Sequence, residues 1–471
     1  MTKLFRILIL GLLLWSVPAS AQRTAPKPEK VHNVILIIGD GMGLGQVAAY
    51  MIENQYGPTA FDRAHYTAVC KTYSANNRVT DSGAAATAMA TGHKTKNSRI
   101  GVTPDGAPAQ SITELAKAKG LATGIVVTSH LADATPAGFM AHTPDRHNTS
   151  EIAAAYETSG IDVAVGGGRR FFEKQEDGQD VLAALQAKGY AYASTPEEFY
   201  ATDSTPVIGL FADKYMESAA KRGEDYLERA TEHTLSLLAR NRKGFFAMIE
   251  GSQIDGAGHG NNTKKLLGEM RDFDRAVNKA FDFADKNPGT LVIVTADHET
   301  GGMAIGYKTT NYDTFLTNLT HQKMSYAKFD STYVKGYIAN KTPFEAAMAD
   351  VKANFGLTLP TDPDAASAGK LLLTDYEVEN LRKAYERTLE VGAASQKEMS
   401  QQDYELYGTY IPFSMAICHT INHKSGMDHT TYAHTGAMVN IYALGVGAEK
   451  FRGVFDNTEI YHKLAELTGV Q

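Results

Sequence analysis

Five short runs of apolar, largely β-branched residues recur along the chain, separated by longer stretches of mixed polarity. Their apolar and polar positions do not alternate, which is typical of strands buried on both faces of a sheet. Four of the runs lead directly into glycine or polar residues, and the fifth directly follows such a segment. The runs are residues 32–38, 121–128, 244–249, 291–295 and 438–444.

Helix signals fill the stretches between these runs. Residues Ser111 to Glu114 have the sequence of a capping box, and Gly120 is placed to end that helix. Residues 226–240 and 266–285 are amphipathic at the helical period. Strands that alternate with helices predict an α/β fold, with a large, mostly parallel central sheet and helices on both faces.

The stretch from residue 310 to 430 departs from this alternation. It contains few strand-like runs, and residues 342–345 and 374–377 each have the sequence of a capping box, which predicts two further helices. We therefore predict a helical insertion over 310–430 within a core formed by residues 32–309 and 431–471.

The N-terminus has the layout of a secretory signal peptide over residues 1–21. Lys3 and Arg6 precede an apolar run over 7–15, and Ala19-Ser20-Ala21 forms a small-residue cleavage site. A transmembrane anchor is the alternative, but the apolar run is short for a bilayer and no second apolar segment follows. The sequence thus predicts an exported protein without a membrane anchor, in the periplasm or outside the cell.

Composition adds charge and cysteine content to this picture. The 471 residues carry a formal charge of −7, and loss of Lys3 and Arg6 with the signal peptide moves it to −9, which argues against a nucleic-acid partner. The 43% hydrophobic content is ordinary for a globular protein. Only Cys70 and Cys418 are present, and the sequence leaves open whether they pair or are buried free thiols.

Two pairs of metal-ligand residue types follow strand-like runs. Asp255 and His259 are four apart, so on a helical turn they share one side, although such pairs are more often on a surface. Asp297 and His298 come directly after a buried run, where they either point into one cleft or form a solvated exit from the strand. Carboxylate and imidazole side chains in this arrangement suit Zn²⁺.

Asp40 stands among glycines directly after the first run. The segment 41–45 contains three glycines and could be taken for a dinucleotide-binding loop, but its last glycine is misplaced for that fingerprint. An acidic residue at this point would also repel a pyrophosphate. We therefore interpret Asp40 as a metal ligand that the glycines allow to approach closely.

Ser82 begins an alanine-rich helix. The free backbone N–H groups and the helix dipole at such a position favour negative charge. Ser82 or Asp81 could be an ordinary N-cap, which is the default for such residues. A cation nearby would make Ser82 a candidate nucleophile, because it would favour loss of the hydroxyl proton.

These segments, taken in order, resemble the alkaline phosphatase family. No single motif is decisive, but the ordered set is specific and spans residues 33–446 apart from the insertion. The matching segments are Gly39-Asp40-Gly41-Met42-Gly43, Thr80-Asp81-Ser82, Asp133-Ala134-Thr135-Pro136-Ala137, Glu250-Gly251, Asp255 with His259, Thr295-Ala296-Asp297-His298, and His434-Thr435-Gly436.

The resemblance implies phosphate monoester hydrolysis, fastest at alkaline pH, with two Zn²⁺ and one Mg²⁺. It implies a catalytic Ser82 that forms a phosphoserine, and an Arg146 that clamps the phosphate. It also implies ligand sets: Asp255, His259 and His434 for one zinc, Asp40, Asp297 and His298 for the other, and Asp40, Thr135 and Glu250 for magnesium with Asp133 behind them. His429 is the main competitor for the role of His434, whereas His93, His142 and His147 are interpreted as structural or solvated.

The chain departs from well-known family members between Asp255 and His259. It carries Gly256, Ala257 and Gly258, where those members have larger polar side chains, such as Lys or His, that reach toward phosphate mostly through water. Phosphate affinity and magnesium preference therefore do not carry over from the resemblance. Neither does the oligomeric state, although a homodimer is possible.

Three alternative functions are compatible with the same scaffold. A phosphodiesterase would usually lack the magnesium site and often uses threonine as the nucleophile, so Ser82, Thr135 and Glu250 together favour small phosphate monoesters. A phosphotransferase would share the phosphoserine intermediate and differ in the acceptor. A non-catalytic binder of metal or phosphate is disfavoured because no essential group is missing from the set.

Overall fold

The computed structural model describes residues 30–174, 178–392 and 399–470. The predicted signal peptide, residues 1–21, lies outside these ranges. Within them, no helix is both long enough and apolar enough to cross a bilayer.

Ten strands of the described chain form one central sheet, in the order β14-β2-β13-β8-β1-β7-β3-β4-β6-β5. Two small two-stranded sheets pair β10 with β11 and β9 with β12. The strands are β1 (Asn33–Gly39), β2 (Tyr66–Lys71), β3 (Ala122–His130), β4 (Val163–Gly167), β5 (Ala191–Ala193), β6 (Val207–Leu210), β7 (Phe245–Gly251), β8 (Thr290–Thr295), β9 (Glu299–Thr300), β10 (Met303–Ile305), β11 (Met427–His429), β12 (His434–Thr435), β13 (Val439–Gly445) and β14 (Gly453–Asp456).

The centre of the sheet is parallel and fully buried. Strand β1 lies between β7 and β8, and both pairings are parallel. Its residues from Val34 to Gly39 are all buried, as the apolar run indicated. Strand β13 is antiparallel to both of its neighbours, β8 and β2. The predicted fold class, a large and mostly parallel sheet within an α/β protein, is confirmed.

Helices pack around this sheet and connect its strands. They are α1 (Leu44–Glu53), α2 (Ser82–Thr91), α3 (Ile112–Ala118), α4 (Ala134–Gly138), α5 (Thr149–Ser159), α6 (Arg169–Phe172), α7 (Val181–Ala187), α8 (Pro196–Ala201), α9 (Ala219–Arg222), α10 (Tyr226–Leu238), α11 (Gln253–His259), α12 (Thr263–Lys286), α13 (Tyr326–Phe329), α14 (Lys335–Asn340), α15 (Phe344–Phe355), α16 (Asp375–Val391), α17 (Gln401–Tyr407), α18 (Pro412–Ser425) and α19 (Thr458–Thr468).

Two of the three predicted capping boxes are present. Ser111 and Glu114 bond each other's backbone N–H groups at the start of α3, and a capping box also opens α16. The box predicted at Thr342 is wrong: α15 begins at Phe344 with Pro343 as its N-cap and no side-chain cap. Pro343 is extended, with ψ of 146°, so Thr342 lies one residue too far from the helix to cap it.

The described residues between β10 and β11 are largely helical and contain an aromatic cluster of their own. Phe329, Phe355, Tyr385 and Phe413 are almost completely buried there. The rings of Tyr385 and Phe413 meet edge to face with their centroids 4.9 Å apart. The division into a core and an insertion over 310–430 stays a prediction.

The two cysteines are both buried and both free. Cys70 lies in β2, and Cys418 in α18 donates to the backbone carbonyl of Asn261 at 3.2 Å. Burial raises the pKa of each thiol to about 12, so neither is a reactive thiolate near neutral pH. The sequence left open whether the two cysteines pair or are buried free thiols, and in the structure they are buried free thiols.

Candidate active site

The carboxyl edge of the central strands gathers the polar residues singled out in the sequence. Asp40 directly follows β1. Glu250 is the second-last residue of β7 and pairs with Ile38 of β1. Asp297 and His298 follow β8, which pairs with the other side of β1. Because neighbouring parallel strands end at the same edge, residues more than 200 positions apart in sequence meet here.

One cluster of side chains surrounds the imidazole of His298. Its Nε2 lies 3.1 Å from Asp297 Oδ2, 3.6 Å from Asp40 Oδ1 and 3.2 Å from Ser82 Oγ. The ligand atoms of Asp40, Asp297 and His298 are mutually close enough to hold one metal ion. His298 and Asp297 are completely buried and Ser82 is 4% exposed, so these side chains converge below the surface of the protein.

A second cluster lies beside the first. His259 Nε2 and His434 Nε2 are 3.2 Å apart, and Asp255 has one oxygen 3.3 Å from the former and another 3.5 Å from the latter. Asp255 and His259 share one side of α11, as their spacing predicted. His434 reaches them because β12 pairs antiparallel with β9, which places His434 opposite Thr300. Asp255, His298 and His434 also form a group of metal-ligating size, so the two clusters adjoin.

The hydrogen bonds of the three histidines fix which ring nitrogen faces the clusters. His259 Nδ1 lies 2.6 Å from the carbonyl oxygen of Tyr432, and His434 Nδ1 lies 3.0 Å from that of Thr80. A carbonyl only accepts, so each Nδ1 carries the proton and each Nε2 presents a lone pair. His298 Nδ1 lies 3.2 Å from Thr300 Oγ1, which itself donates to Asp255 Oδ1 at 2.6 Å. When the rings are neutral, which is the state that binds metal, all three direct the lone pair of Nε2 into the site.

A third group of oxygen atoms lies behind Asp40. Thr135, in α4, and Glu250 are 1% exposed, and Thr135 Oγ1 and Glu250 Oε2 have no hydrogen-bond partner among the described residues. Asp40 Oδ1 and Asp297 Oδ2 are also buried without a hydrogen-bond partner. Asp133 is the N-cap of α4 and accepts from Ala134 N at 2.8 Å. Buried oxygens without partners are costly, so this side of the site is incomplete as protein alone.

Arg146 lines the same cavity as Ser82 and is anchored by Asp81, the residue that precedes the serine. Arg146 Nη1 donates to Asp81 Oδ2 at 3.0 Å, and Nη2 lies 3.7 Å from Asp133 Oδ1. Asp81 also caps α2 by accepting from Ala84 N at 2.9 Å. One carboxylate therefore fixes both the helix that begins at Ser82 and the guanidinium beside it.

The electrostatics of the site reflect crowded carboxylates. Burial, followed by the charges of Asp297 and Asp255, raises the pKa of Asp40 well above its usual value. Burial and Asp133 likewise raise the pKa of Glu250. Burial and the neighbouring His298 lower the pKa of His434 to about 4. Ionised carboxylates beside neutral imidazoles would be far more stable here with cations between them.

The clusters open into a cavity of about 720 Å³. Asp40, Ser82 and Arg146 line it together with His259 and His434. Other walls come from the loop before α9 and from the helical stretch after β10, the latter through residues such as Tyr326, Asp330, Tyr410 and Ser414. The Ser82 hydroxyl, the Arg146 guanidinium and side chains of both clusters thus face one cavity.

All eleven side chains singled out from the sequence lie at this edge of the sheet. His429, the competitor of His434, instead has its Nε2 3.3 Å from Thr263 Oγ1 and belongs to neither cluster. His142 is hydrogen-bonded to Gly101 O and Glu114, in keeping with its structural interpretation. Sequence analysis missed Thr300, which links His298 to Asp255; its place two residues after His298 is the signal that could have found it.

Comparison with known proteins identifies the family of this chain. The family model of alkaline phosphatase matches residues 31–470, and the chain belongs to that family, whose members are phosphomonoesterases. Alkaline phosphatase 3 of Bacillus subtilis (strain 168) is 36% identical over 463 residues, which cover 94% of this chain and 91% of the relative. The enzyme class predicted from the sequence, a metal-dependent phosphomonoester hydrolase of the alkaline phosphatase type, is confirmed.

Two solved structures extend the comparison to the fold. The cold-active alkaline phosphatase of Shewanella sp. is 30% identical with a TM-score of 0.76, over 93% of this chain and 99% of that one. A variant of the alkaline phosphatase of the Antarctic bacterium TAB5, with magnesium bound, is 28% identical with a TM-score of 0.66, over 94% of this chain and 99% of that one.

Proposed function

We propose that this protein hydrolyses phosphate monoesters through a phosphoserine on Ser82, with two Zn²⁺ and one Mg²⁺ in the site. The observation that carries the proposal is the convergence of the Nε2 lone pairs of His298 and His434, with the carboxylates of Asp40 and Asp297, beside the Ser82 hydroxyl. Lone pairs and carboxylates that face one another in a buried space repel each other, and metal cations between them would offset that repulsion.

The donor sets fit the proposed metals. Asp255, His259 and His434 would hold one zinc, and Asp40, Asp297 and His298 the other, which gives each ion the mixed nitrogen and oxygen ligands that zinc accepts. Thr135, Glu250 and Asp40 would hold magnesium, which prefers hard oxygen ligands, with Asp133 behind them. The unpartnered oxygens of Thr135 and Glu250 support this set, as does the magnesium bound in the M3 site of the TAB5 variant.

The residues of the chain would perform the steps as follows. Bound divalent cations would lower the pKa of a hydroxyl beside them and offset the charge of the transferring phosphoryl group. Ser82 Oγ gives up its proton and bonds to phosphorus, while the bond from phosphorus to the alcohol oxygen breaks and the alcohol departs. Water then attacks the phosphoserine, which releases inorganic phosphate and returns Ser82 to its hydroxyl form.

Arg146 orients the phosphoryl group during both steps. Its planar guanidinium matches two phosphate oxygens and stays charged at alkaline pH. Asp81 keeps the guanidinium in place through the 3.0 Å ion pair, so little side-chain freedom is lost when phosphate binds. The N-terminus of α2 adds its free N–H groups and dipole at the position of Ser82.

Removal of metal is the direct test of the proposed site. After exhaustive chelation, monoesterase activity is expected to fall by roughly 10³-fold or more, because the cations carry most of the stabilisation of phosphoryl transfer. Adding back zinc and magnesium should restore the activity, and metal analysis should return about two zinc ions and one magnesium ion per chain. Full activity in metal-free protein would contradict the proposal.

Substrate class can be tested separately. With nitrophenyl esters, turnover of the monoester is expected to exceed that of the diester by several orders of magnitude, since a second ester group removes one of the charged oxygens that the site is built to hold. Faster turnover of the diester would favour the phosphodiesterase alternative. Transfer to an added alcohol, measured as the ratio of alcohol consumed to phosphate released, would report the phosphotransferase activity.

We propose that the enzyme is exported and acts in the periplasm or outside the cell. The charged start, short apolar run and small-residue cleavage site of residues 1–21 support it. Retention of residues 1–21 in protein purified from the secreting cell would contradict it. The helical insertion over 310–430 belongs to the same proposal, as the part of the chain that supplies outer walls of the cavity.

A further inference from the structure

A lysine that the proposed mechanism does not use lines the cavity of Ser82. Lys265 lies in the first turn of α12 (Thr263–Lys286) and is one of the residues around the cavity that also holds Ser82, Arg146 and Asp255. A positive charge in the first turn of a helix is opposed by the helix dipole. Its presence at this point therefore needs a reason other than helix stability.

The expected partner of this lysine is engaged elsewhere. Glu269, four residues on and on the same face of α12, would ordinarily pair with Lys265. Instead, Glu269 Oε2 binds Arg222 at 2.8 Å and Oε1 accepts from Ala219 N at 2.9 Å. Lys265 forms no ion pair with any carboxylate of the described chain, and its one side-chain hydrogen bond goes to neutral Gln253 Oε1 at 3.0 Å. An ammonium group has three donors, so two are free.

Gln253 holds this ammonium in a defined place. Its Nε2 donates to the carbonyl oxygens of Met216 at 2.9 Å and Thr128 at 3.3 Å, which fixes the orientation of the amide. Oε1 must then face Lys265. The ammonium is thus positioned by a side chain that is itself held by two backbone groups.

The ammonium lies over the backbone of Gly256, directly beside the proposed metal ligand Asp255. A Cβ built on Gly256 would be 3.7 Å from Lys265 Nζ and 3.8 Å from Gln253 Oε1. Because Gly256 has no side chain, the lysine of α12 has access to the space above α11 (Gln253–His259) from the neighbouring helix. Asp255 itself does not neutralise it, since its oxygens face Thr300, His259 and His434.

We propose that Lys265 is a phosphate-positioning residue, whose ammonium binds an oxygen of the phosphoryl group in the bound ester and in the inorganic phosphate product, directly or through one water. This inference rests on the proposed function, because it needs phosphate at Ser82. An anion in the cavity would supply the counter-charge that the protein does not, and would use the two free donors. The absence of a side chain at Gly256 would then leave room for the Lys265 ammonium to contact the anion near Asp255.

The test measures inorganic phosphate binding to the metal-loaded protein by calorimetry. In Lys265→Met, the dissociation constant for phosphate is expected to rise roughly tenfold, the effect of losing one charge-assisted hydrogen bond. KM for a monoester should rise by a similar factor with kcat changed far less, since the same contact is made before and during the reaction. Metal content and Tm should stay at wild-type values, which separates this role from a structural one.

Lys264→Met is the matched control. Lys264 is the neighbouring residue of the same helix and is also half-buried, but it donates to the backbone of Gln322 and does not line the cavity. Its removal should leave phosphate binding unchanged. Lys265→Gln provides a second neutral variant should the methionine be poorly tolerated.

Phosphate affinity within twofold of wild type in both Lys265 variants would overturn the proposal, as would loss of bound metal together with phosphate. Because calorimetry needs no turnover, the same comparison in a Ser82→Ala background tests Lys265 independently of the nucleophile. Weakened phosphate binding there supports Lys265 even if Ser82 proves not to be the nucleophile.

Discussion

Replacing Ser82 with alanine is expected to lower monoesterase activity by roughly 10³-fold or more, because the variant loses the oxygen that accepts the phosphoryl group. Ser82, the first residue of α2, is 4% exposed, and its Oγ lies 3.2 Å from His298 Nε2. A residual rate is expected, since the proposed metal ions and Arg146 would still bind the substrate and a water could attack directly.

Metal analysis and a trapping experiment distinguish loss of the nucleophile from loss of bound metal in Ser82→Ala. Ser82→Ala removes one hydroxyl and no proposed ligand side chain, so the metal content should remain close to that of wild type. Acid quenching with labelled phosphate should trap phosphoserine in wild type and none in the variant. Wild-type activity in Ser82→Ala, or label trapped at another residue, would exclude Ser82 as the nucleophile.

Ser414→Ala is the matched control for the serine. Ser414 is also buried at 2% exposure and lines the same cavity, but it belongs to α18 and its hydroxyl donates to Asp330. It lies in neither metal-ligating group. Its removal should leave kcat within a few-fold of wild type, so a large effect at Ser82 alone would reflect its chemistry and not its burial.

The strand ends are the part of the site that the sequence predicts well. Asp40, Glu250 and Asp297 each terminate an apolar run, and the rule that parallel strands end at a common edge brings them together without further information. The four-residue spacing of Asp255 and His259 similarly specifies one side of a helical turn. In both cases the local pattern determines the direction of the side chain.

Contacts that depend on long-range packing are not readable in this way. The position of His434 depends on the two-residue pairing of β12 with β9, which is too short to leave a pattern in the sequence. Lys265 reaches the cavity only because α12 packs beside α11 and because Glu269 is engaged by Arg222. Very short strands are also not predicted. One example is β5, whose three residues are too few to show an apolar pattern.

The resemblance and the geometry both favour His434 over His429 as a zinc ligand, and substitution of each histidine tests that choice. His434→Gln is expected to lower the zinc content by about one ion per chain and the activity by roughly 10²-fold or more, because glutamine offers no imidazole nitrogen to the cluster of Asp255 and His259. Glutamine has a similar length, so the β12–β9 pairing should persist.

His429→Gln supplies the comparison five residues earlier. His429 is also partly buried, but its Nε2 faces Thr263 Oγ1 and not the cluster. The variant should keep its full zinc content and most of its activity, with any loss appearing in Tm because a partly buried, hydrogen-bonded group has been changed. If His429→Gln lost the zinc and His434→Gln kept it, the second cluster would be wrongly assigned. The outcome depends on one structural fact: His434 Nε2 lies 3.2 Å from His259 Nε2, at the meeting point of ligands from α11 and β12.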